Sequence, residues 1–493
     1  MNASLLIDFY KAGHVYQYPK GISKIYCNWT ARKSRIAGIN KTVHFGLQYF
    51  IKHVLEEMFT DFVCTPKSDI LLEYQEVMRD CLGIDKGAEH IGALWDFMDR
   101  RGGEMPIKLY SLPEGSIVPI GVPAVVIVNT DPRFFWLPNF LETVFSNSTW
   151  MASTSATIAK KYREICERYA QTDDEKAFIN WQCHDFSYRG MSGLEAAQLS
   201  GMGHLTQFSG TDTVPAIMAA RQYYDADLTC GGSVPATEHS VMCAGSKDGE
   251  LETFKRLITE VYPSGIVSIV SDTWDLWKVL TEYIPQLKDQ VLARNGKIVI
   301  RPDSGDPVEI ICGHPHRLAA AMKWADNVPI DVSPEDYGAM KLLAKAMGVT
   351  NGVINKAGLI YGDSITPDRC DEILRGITEA GFSTQNMVFG VGSYTYQYQT
   401  RDTFGYAMKA TAIERDGAIE PIFKSPITDD GTKKSLRGIP IVHGKNGSFT
   451  VTESTNPADL GRCAYEVVYD QGSIVDYSFD DIRERSRQCI LSN

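Results

Sequence analysis

The chain has 493 residues, of which 44% are hydrophobic and 22% are charged, and its formal net charge is -12 at pH 7. These fractions are typical of soluble globular proteins, and the length allows more than one domain. The negative charge argues against a protein that binds nucleic acid or an anionic membrane. It does not exclude a phosphate ligand, because nearby arginines and lysines set the electrostatic field within a site.

The cysteines and the N-terminus favour a cytoplasmic protein. The 11 cysteines include no Cys-x-x-Cys pair, which favours reduced thiols over a disulfide framework. The first residues hold only a short apolar run, without the apolar core of a cleavable signal peptide. No apolar stretch approaches the about 20 residues that a membrane-spanning helix needs. We therefore expect neither a membrane nor a nucleic-acid partner.

The two ends of the chain share a β-rich pattern. Residues 107–131 alternate apolar stretches with turns at Pro113 and Gly121, as expected for antiparallel strands. Similar stretches return beyond residue 394. We predict that residues 1–150 and 394–493 together form a mixed α+β domain with a mainly antiparallel sheet. Its other predicted strands are 25–30, 406–413, 419–423, 439–443 and 448–451, and its predicted helices are 49–58, 68–81, 134–168 and a closing segment from about 479.

The middle of the chain, residues 151–393, repeats a different pattern. Short apolar runs end abruptly in polar tips, and helical patterns lie between them. Such runs are typical of strands buried on both faces of a parallel sheet. We therefore predict an α/β fold whose central domain is a β/α barrel or a close variant. The predicted strands are 177–179, 205–208, 266–270, 298–300, 358–361 and 387–389, and the predicted helices are 194–205, 273–292 with a kink at Pro285, 333–347 and 367–380.

The polar tips of these strands are the candidate site, since barrels and open α/β sheets bind ligands at the carboxyl ends of their strands. The clearest tip follows the run 298–300, where Arg301 and Asp303 precede a glycine turn. Gly362 and the segment 390–393, Gly-Val-Gly-Ser, favour a phosphate cradle made of backbone N–H groups. Each glycine tip taken alone is equally well explained as a tight turn.

Charged residues at the tips allow a structural and a functional interpretation. A single arginine such as Arg189, Arg301 or Arg401 is more often part of a surface ion pair, and Lys424 alone would face solvent. Carboxylates follow three of the strands. They either cap the next helices or hold Mg²⁺ through its waters and stabilise positive charge on a substrate. These carboxylates are Asp272, Asp303 and Asp363.

Two further residues also have two interpretations. His239 follows Glu238, and a lone histidine is more often structural, yet its ring is a nucleophile near neutral pH when a carboxylate orients it. Phe186, at another tip, either packs in the core or stacks on a flat heteroaromatic ring. Paired carboxylates on a barrel would also fit a glycosidase. The clustered arginines and glycines favour an anionic substrate over a neutral sugar.

Taken together, these motifs resemble the nicotinamide phosphoribosyltransferase family. The resemblance runs in collinear order over nearly the whole chain, which makes it specific. The segments that carry it are residues 8–14, 45–49, 129–132, 184–190 (HDFSYRG), 210–213 (GTDT), 233–240 (SVPATEHS), 271–272, 300–305 (IRPDSG), 400–402 and 477–480.

The resemblance implies a type II phosphoribosyltransferase fold and a head-to-tail homodimer with sites at the subunit interface. It implies transfer of the phosphoribosyl group of phosphoribosyl diphosphate to nicotinamide, which gives nicotinamide mononucleotide and diphosphate for NAD biosynthesis. It also implies Mg²⁺, and ATP as a co-substrate whose hydrolysis is coupled through a phosphohistidine. No residue is predicted as a direct ligand of a resident metal.

The resemblance assigns the catalytic roles to four residues. His239 is the residue that ATP phosphorylates transiently. Glu238 and Asp272 orient its ring, and Asp303 contacts the ribose.

The resemblance also implies a substrate-binding set. Phe186 and Tyr10 of the partner subunit sandwich the pyridine ring, and Asp212 accepts a hydrogen bond from the carboxamide. Arg301 supports the ring and the ribose. The remaining members are Arg189, Gly362, Gly392, Ser393 and Arg401 for the 5′-phosphate end, Asp363 for the ribose hydroxyls, Arg32, Lys409 and Lys424 of the partner subunit for the diphosphate, and Asp8 and Ser268.

Asp212 distinguishes a nicotinamide phosphoribosyltransferase from the main alternative function. A carboxylate attracts an amide donor and repels the carboxylate of nicotinate, which disfavours a nicotinate phosphoribosyltransferase. The other alternative is a phosphate- or nucleotide-binding protein without catalysis, which would not need the catalytic residues together. The chain departs from the family at residues 392–394, Gly-Ser-Tyr, where many members carry three glycines. The phosphate contacts at that tip therefore stay open.

Overall fold

A parallel sheet forms the centre of the protein. The computed structural model describes residues 1–323, 332–362, 364–424 and 436–492, without the side chains of residues 320–323. Within them, a six-stranded sheet has neighbouring strands that run parallel. From one edge to the other its strands are Gly210–Thr211, Cys183–Asp185, Met387–Val391, Ala357–Tyr361, Ile298–Arg301 and Val267–Val270.

A single segment joins the two edges of this sheet. Gly232 forms a parallel bridge to Gly210 at one edge, and Ala236 forms a parallel bridge to Ser268 at the other. The segment 232–236 therefore turns the sheet into a barrel-like ring. The α/β prediction with a barrel-like centre is confirmed.

A second, antiparallel sheet is built from both ends of the chain. Its central strand, Ile22–Thr30, pairs with Ala407–Arg415 on one side and with Pro123–Asn129 on the other. The strands Ala418–Pro421, Ile107–Ser111 and Glu466–Asp470 complete it. Within the described residues, three further antiparallel strand pairs lie outside the two sheets: Lys41–Val43 with Ile117–Pro119, Val349–Thr350 with Val353–Ile354, and Ile439–His443 with Thr450–Ser454.

Helices cover both sheets. The longest, Glu142–Tyr169, packs on Leu194–Leu205 so closely that a Cβ at Gly203 would lie 2.8 Å from the carbonyl oxygen of Ala152. The predicted boundary at residue 150 falls inside that long helix, and the domain boundaries stay a prediction. The other helices of six residues or more include Phe9–Gln17, Phe50–Met58, Phe59–Cys64, Lys67–Val77, Ala88–Asp99, Asp173–Gln182, Val214–Tyr224, His239–Ala244, Glu250–Arg256, Lys288–Ala293, Pro307–Cys312, Pro315–Lys323, Pro334–Met347, Pro367–Glu379 and Phe479–Arg487.

Two predicted strands are wrong. Residues 177–179 lie in the helix Asp173–Gln182, and the strand that follows is Cys183–Asp185. A capping box fixes the start of that helix, because Thr172 and Glu175 bond each other's backbone N–H groups. Residues 205–208 comprise the last residue of the helix Leu194–Leu205 and the turn after it, and the strand that follows is Gly210–Thr211.

The predicted helix 273–292 is interrupted at Leu287, two residues after Pro285, where the kink was predicted. Pro285 itself lies inside the helical segment Ile284–Gln286, and a new helix begins at Lys288. Among the described helices, none is long and apolar enough to span a membrane.

Candidate active site

A cavity of about 280 Å³ lies at the carboxyl ends of the central strands. Parallel strands bring their tips to one edge, so residues that are far apart in sequence meet there. The site residues predicted from the sequence that line this cavity are Phe186, Arg189, Asp212, Arg301, Asp303, Gly362, Gly392 and Ser393. Ser364 and Tyr394 also line it and were not predicted.

An adjoining cavity of about 360 Å³ shares Phe186, Asp212 and Arg301 with the first. Its walls are mostly apolar, from residues such as Phe178, Val299 and Leu359. Ser268 lines it, and its buried hydroxyl has no hydrogen-bond partner within the described residues. The site is therefore a polar mouth that continues into an apolar channel.

Phe186 is held in place by the backbone beside it. A Cβ at Gly390 would lie 2.7 Å from the Phe186 ring and 2.6 Å from the Cα of Gly362. A Cβ at Gly190 would lie 2.1 Å from the Ser393 hydroxyl. These contacts join the loop after Cys183–Asp185 to the glycine tips at 362 and 390–393.

Asp212 is an ionised acceptor at the mouth. Its Oδ1 accepts hydrogen bonds from His184 Nε2 at 3.0 Å and from the Ser233 hydroxyl at 2.5 Å. Burial opposes ionisation, but these two bonds and the charge of Arg301 outweigh it and lower the pKa of Asp212. Neither His184 nor Ser233 had a role predicted from the sequence, although both lie in motifs that carry the resemblance.

Arg301 is a half-buried cation between several carboxylates. Its Nη2 donates to the carbonyl oxygen of Thr237 at 2.5 Å, while its buried Nε has no partner among the described residues. Burial lowers its pKa, and Asp303, Asp212 and Asp272 oppose that effect. A ligand oxygen at this position would satisfy the free N–H group.

His239 lies at the start of the helix His239–Ala244, and its side chain is 49% exposed. Nε2 is 4.0 Å from Asp272 Oδ1, and Nδ1 is 3.1 Å from the Thr273 hydroxyl. Asp272 is almost buried; its Oδ2 accepts from the Asp303 N–H and the Ser304 hydroxyl, and its Oδ1 has no hydrogen bond within the described chain. The structure therefore brings a carboxylate to the ring.

Glu238 differs from Asp272 in its contacts. It is exposed, and its carboxylate accepts a hydrogen bond from the Ser240 hydroxyl. Its role in orienting His239 stays a prediction.

A second group of predicted residues lies on the antiparallel domain. Burial lowers the pKa of Lys409, Glu142 opposes that effect, and the nearby cations Arg32, Lys11 and Arg401 add to it. Arg32 Nε donates to the carbonyl oxygen of Gly405 at 3.1 Å. This patch of like charge is suited to an anion.

Tyr10 belongs to this second group. It is 58% exposed. Burial and the carboxylates of Glu142 and Asp8 raise the pKa of its phenol, and the nearby charge of Arg401 opposes them. Its described ring contact is with His14, at 5.3 Å between centroids, and not with Phe186. Asp8 occupies the N-cap position of the helix Phe9–Gln17, but its carboxylate accepts a hydrogen bond from the Thr143 hydroxyl at 2.8 Å instead of bonding the helix backbone. Lys424 is exposed, and Asp363 lies outside the described residues.

Within the described residues there is no group of three or more histidine, cysteine, aspartate or glutamate side chains arranged to hold a metal.

Comparisons with known proteins agree with this geometry. Residues 181–467 match the nicotinate phosphoribosyltransferase (NAPRTase) family, and residues 2–109 match the N-terminal domain of nicotinamide phosphoribosyltransferase. The structure resembles that of a nicotinate-nucleotide pyrophosphorylase from Pyrococcus furiosus, with a TM-score of 0.55 over 98% of this chain and 94% of that chain at 14% identity. The fold is that of a type II phosphoribosyltransferase.

The sequence relatives narrow the class further. The chain is 46% identical to a nicotinamide phosphoribosyltransferase of Acinetobacter baylyi, over 99% of this chain and 97% of the relative. It is 36% identical to one of Mycoplasma pneumoniae, over 88% and 94%. The chain belongs to the nicotinamide phosphoribosyltransferase family.

Proposed function

We propose that the protein transfers the phosphoribosyl group of phosphoribosyl diphosphate to the ring nitrogen of nicotinamide, as a pentosyltransferase of NAD biosynthesis. The observation that carries this proposal is the ionised Asp212 in a cavity that Phe186 and Arg301 also line, in a chain of this family. An anionic acceptor beside an aromatic ring suits a neutral amide-bearing pyridine.

The nicotinamide ring would lie against Phe186 at the entrance of the apolar channel. Asp212 would accept a hydrogen bond from the carboxamide NH₂ and repel the carboxylate of nicotinate. Ser268, whose buried hydroxyl is unpaired within the described chain, would donate to the carboxamide oxygen. Its side chain and Asp212 both line that channel, which supports the pairing.

The phosphoribosyl group would occupy the polar cavity. Arg189, Gly392 and Ser393 line it and would bind the 5′-phosphate, and Arg301 and Asp303 would lie beside the ribose. Displacement at the anomeric carbon builds positive charge on the ribose ring, and the carboxylate of Asp303 would stabilise that charge.

Mg²⁺ fits the carboxylates at the strand tips. Asp272 Oδ1 is buried without a hydrogen bond in the described chain, and Asp303 follows the neighbouring strand. Mg²⁺ keeps several waters and needs only one or two carboxylates together with substrate phosphates. Asp272 and Asp303 would hold it, and the bound ion would neutralise the departing diphosphate.

ATP would phosphorylate His239. The ring is half exposed, and the carboxylate of Asp272 on the Nε2 side favours the tautomer with its hydrogen there. The lone pair on Nδ1 faces the Thr273 hydroxyl at 3.1 Å and would exchange that contact for the phosphoryl group. The phosphoryl group passes to that nitrogen as ADP leaves, and water later removes it. The geometry of His239, Asp272 and Thr273 supports this role.

We also propose a head-to-tail homodimer with shared sites. Tyr10, Arg32, Lys409 and Arg401 lie together on the antiparallel domain, and Tyr10 does not contact Phe186 within the described part of one chain. An exposed tyrosine beside a patch of cations is what a neighbouring subunit would need for the other face of the pyridine and for the diphosphate.

The cysteines bear on the expected location of the protein. All 11 cysteines are free, which supports the cytoplasmic location that the sequence predicts.

The direct test is product formation from phosphoribosyl diphosphate and Mg²⁺, with nicotinamide and nicotinate in separate reactions, each with and without ATP. Mononucleotide from nicotinamide, formed faster with ATP, is the expected result. Turnover of nicotinate in its place would make the protein a nicotinate phosphoribosyltransferase. Binding of phosphoribosyl diphosphate with turnover of neither pyridine would make it a binding protein without catalysis.

A further inference from the structure

The two hydrogen bonds donated to the Asp212 carboxylate both end on one oxygen. His184 Nε2–H and the Ser233 hydroxyl both donate to Oδ1. Among the described residues, none donates a hydrogen bond to Oδ2. His184 comes from the strand Cys183–Asp185, and Ser233 comes from the segment that joins the edges of the sheet. The carboxylate is therefore fixed from two sides, with its second oxygen directed to neither donor.

The His184 ring has little freedom to turn away. It is 8% exposed, and its centroid lies 4.7 Å from that of Phe186. Strand pairing places Gly210 opposite it, where a Cβ would come within 2.8 Å of His184 Nδ1. Nδ1 thus faces the neighbouring strand, so Nε2 is the nitrogen aimed at Asp212. The same histidine supports both the aromatic face and the acceptor of the nicotinamide subsite.

We propose that His184 and Ser233 are positioning residues that set the preference for nicotinamide over nicotinate, by occupying Asp212 Oδ1 so that Oδ2 alone meets the carboxamide. This inference rests on the proposed function and extends it to two residues that do not themselves touch the reacting atoms. A carboxylate held in one rotamer presents its acceptor without losing conformational entropy on binding. A carboxylate without these donors turns freely, and it is more readily protonated because its burial is no longer offset.

Four variants test the inference. His184→Leu and Ser233→Ala each remove one donor, while His184→Gln and Ser233→Thr retain one at a similar position. The quantity to measure is the ratio of kcat/KM for nicotinamide to kcat/KM for nicotinate. We expect His184→Leu to lower that ratio about tenfold or more, chiefly through a higher KM for nicotinamide, and Ser233→Ala to lower it less, because Ser233 is exposed. The Gln and Thr variants should recover most of the ratio.

Three controls separate positioning from a general loss of structure. Affinity for phosphoribosyl diphosphate without pyridine, together with the thermal midpoint, should match wild type in Ser233→Ala. His443→Leu removes an exposed histidine that bonds the Thr452 hydroxyl at 3.1 Å in another hairpin, and it should leave the ratio unchanged. If His184→Leu does not fold, the two Ser233 variants still decide the question.

The possible outcomes distinguish a failure of the positioning role from a failure of the proposed phosphoribosyl transfer. An active wild-type enzyme whose ratio is unaltered in His184→Leu and in Ser233→Ala overturns the positioning role and leaves the function intact. A fall in the ratio that Gln and Thr do not repair also overturns it, since shape rather than the donated bond would then matter. A wild-type enzyme that makes no mononucleotide from nicotinamide removes the proposed function and this inference together.

Discussion

At the scale of single residues, the charge of Asp212 is the feature that, in the proposed function, distinguishes nicotinamide from nicotinate. Asp212→Asn keeps the shape of the side chain and removes the charge. We expect kcat/KM for nicotinamide to fall about tenfold to a hundredfold, because a hydrogen bond to a charged acceptor contributes about 1.5–3 kcal/mol, and we expect discrimination against nicotinate to relax. Asp248→Asn, at an exposed carboxylate, is the matched control. An unchanged preference would remove Asp212 from the specificity argument.

His239 links ATP to the transfer reaction in this proposal. His239→Ala should abolish ATP hydrolysis and leave a slow transfer that ATP does not stimulate, since the carboxylates and arginines of the cavity remain. Measuring ADP release and mononucleotide formation in the same samples checks both halves. His316→Ala, at an exposed histidine, serves as control. ATP stimulation that survives the change would rule out a phosphohistidine at this position.

Glu114 makes the stability of the folded state depend on pH. It is completely buried, and its carboxylate accepts from the N–H groups of Gly46 and Gln48 and from the Tyr224 hydroxyl. Burial outweighs these bonds and raises its pKa to about 7. The folded state thus keeps a proton that the unfolded chain has lost, so stability falls as pH rises from about 4.5 to about 7, by about 3 kcal/mol for this group.

The variant Glu114→Gln isolates that contribution. It should be less stable than wild type at about pH 5, because its NH₂ group meets a backbone N–H, and its stability should decline less between about pH 5 and pH 8. Thermal midpoints of both proteins across that range give the comparison. Parallel profiles would show that Glu114 does not titrate in the folded protein.

At the scale of elements, the sequence predicts the long or strongly patterned helices and strands, but it does not predict the short ones. The helix Pro367–Glu379 follows from its apolar periodicity, and the strand Ile298–Arg301 follows from its buried apolar run. The run 177–179 has the same apolar character as a strand, yet the capping box at Thr172 makes it helical. The strand Gly210–Thr211 is too short to leave any periodic signal.

Close contact between strand tips is another element-scale feature that the sequence marks only by a glycine. Gly390→Ala would place a methyl group 2.7 Å from the Phe186 ring and 2.6 Å from the Cα of Gly362. We expect it to displace Phe186 and raise KM for nicotinamide more than it weakens phosphoribosyl diphosphate binding. Gly461→Ala, where the added Cβ meets no atom within 4 Å, should leave both unchanged. Equal loss for both substrates would point to a general distortion.

At the scale of the whole molecule, the site depends on strand order. The tips at Asp212, Gly392, Gly362 and Asp303 meet because the sheet runs in the order that brings residues 210, 183, 387, 357 and 298 side by side. Composition and periodicity predict the strands but not their order in the sheet. The sequence alone therefore predicts the individual strand tips but not which of them are neighbours. The resemblance to a family joined those tips into one site. The contacts of His184 and Ser233 with Asp212 depend on side-chain geometry and could be found only in the structure.

Within one chain, the cavity at the strand tips and the cations around Tyr10 belong to different parts of the molecule. A mixed-dimer experiment tests whether two subunits bring them together in one site. Tyr10→Ala and Phe186→Ala chains should each be nearly inactive alone, since each removes one face of the pyridine subsite. In a head-to-tail dimer, one of the two sites in each mixed dimer keeps Phe186 from one chain and Tyr10 from the other. Equal mixing with random reassociation should therefore restore about a quarter of wild-type activity, measured after two different tags confirm that mixed dimers formed. Activity that stays at the level of the separate variants in such confirmed dimers would mean that each site is built within one chain.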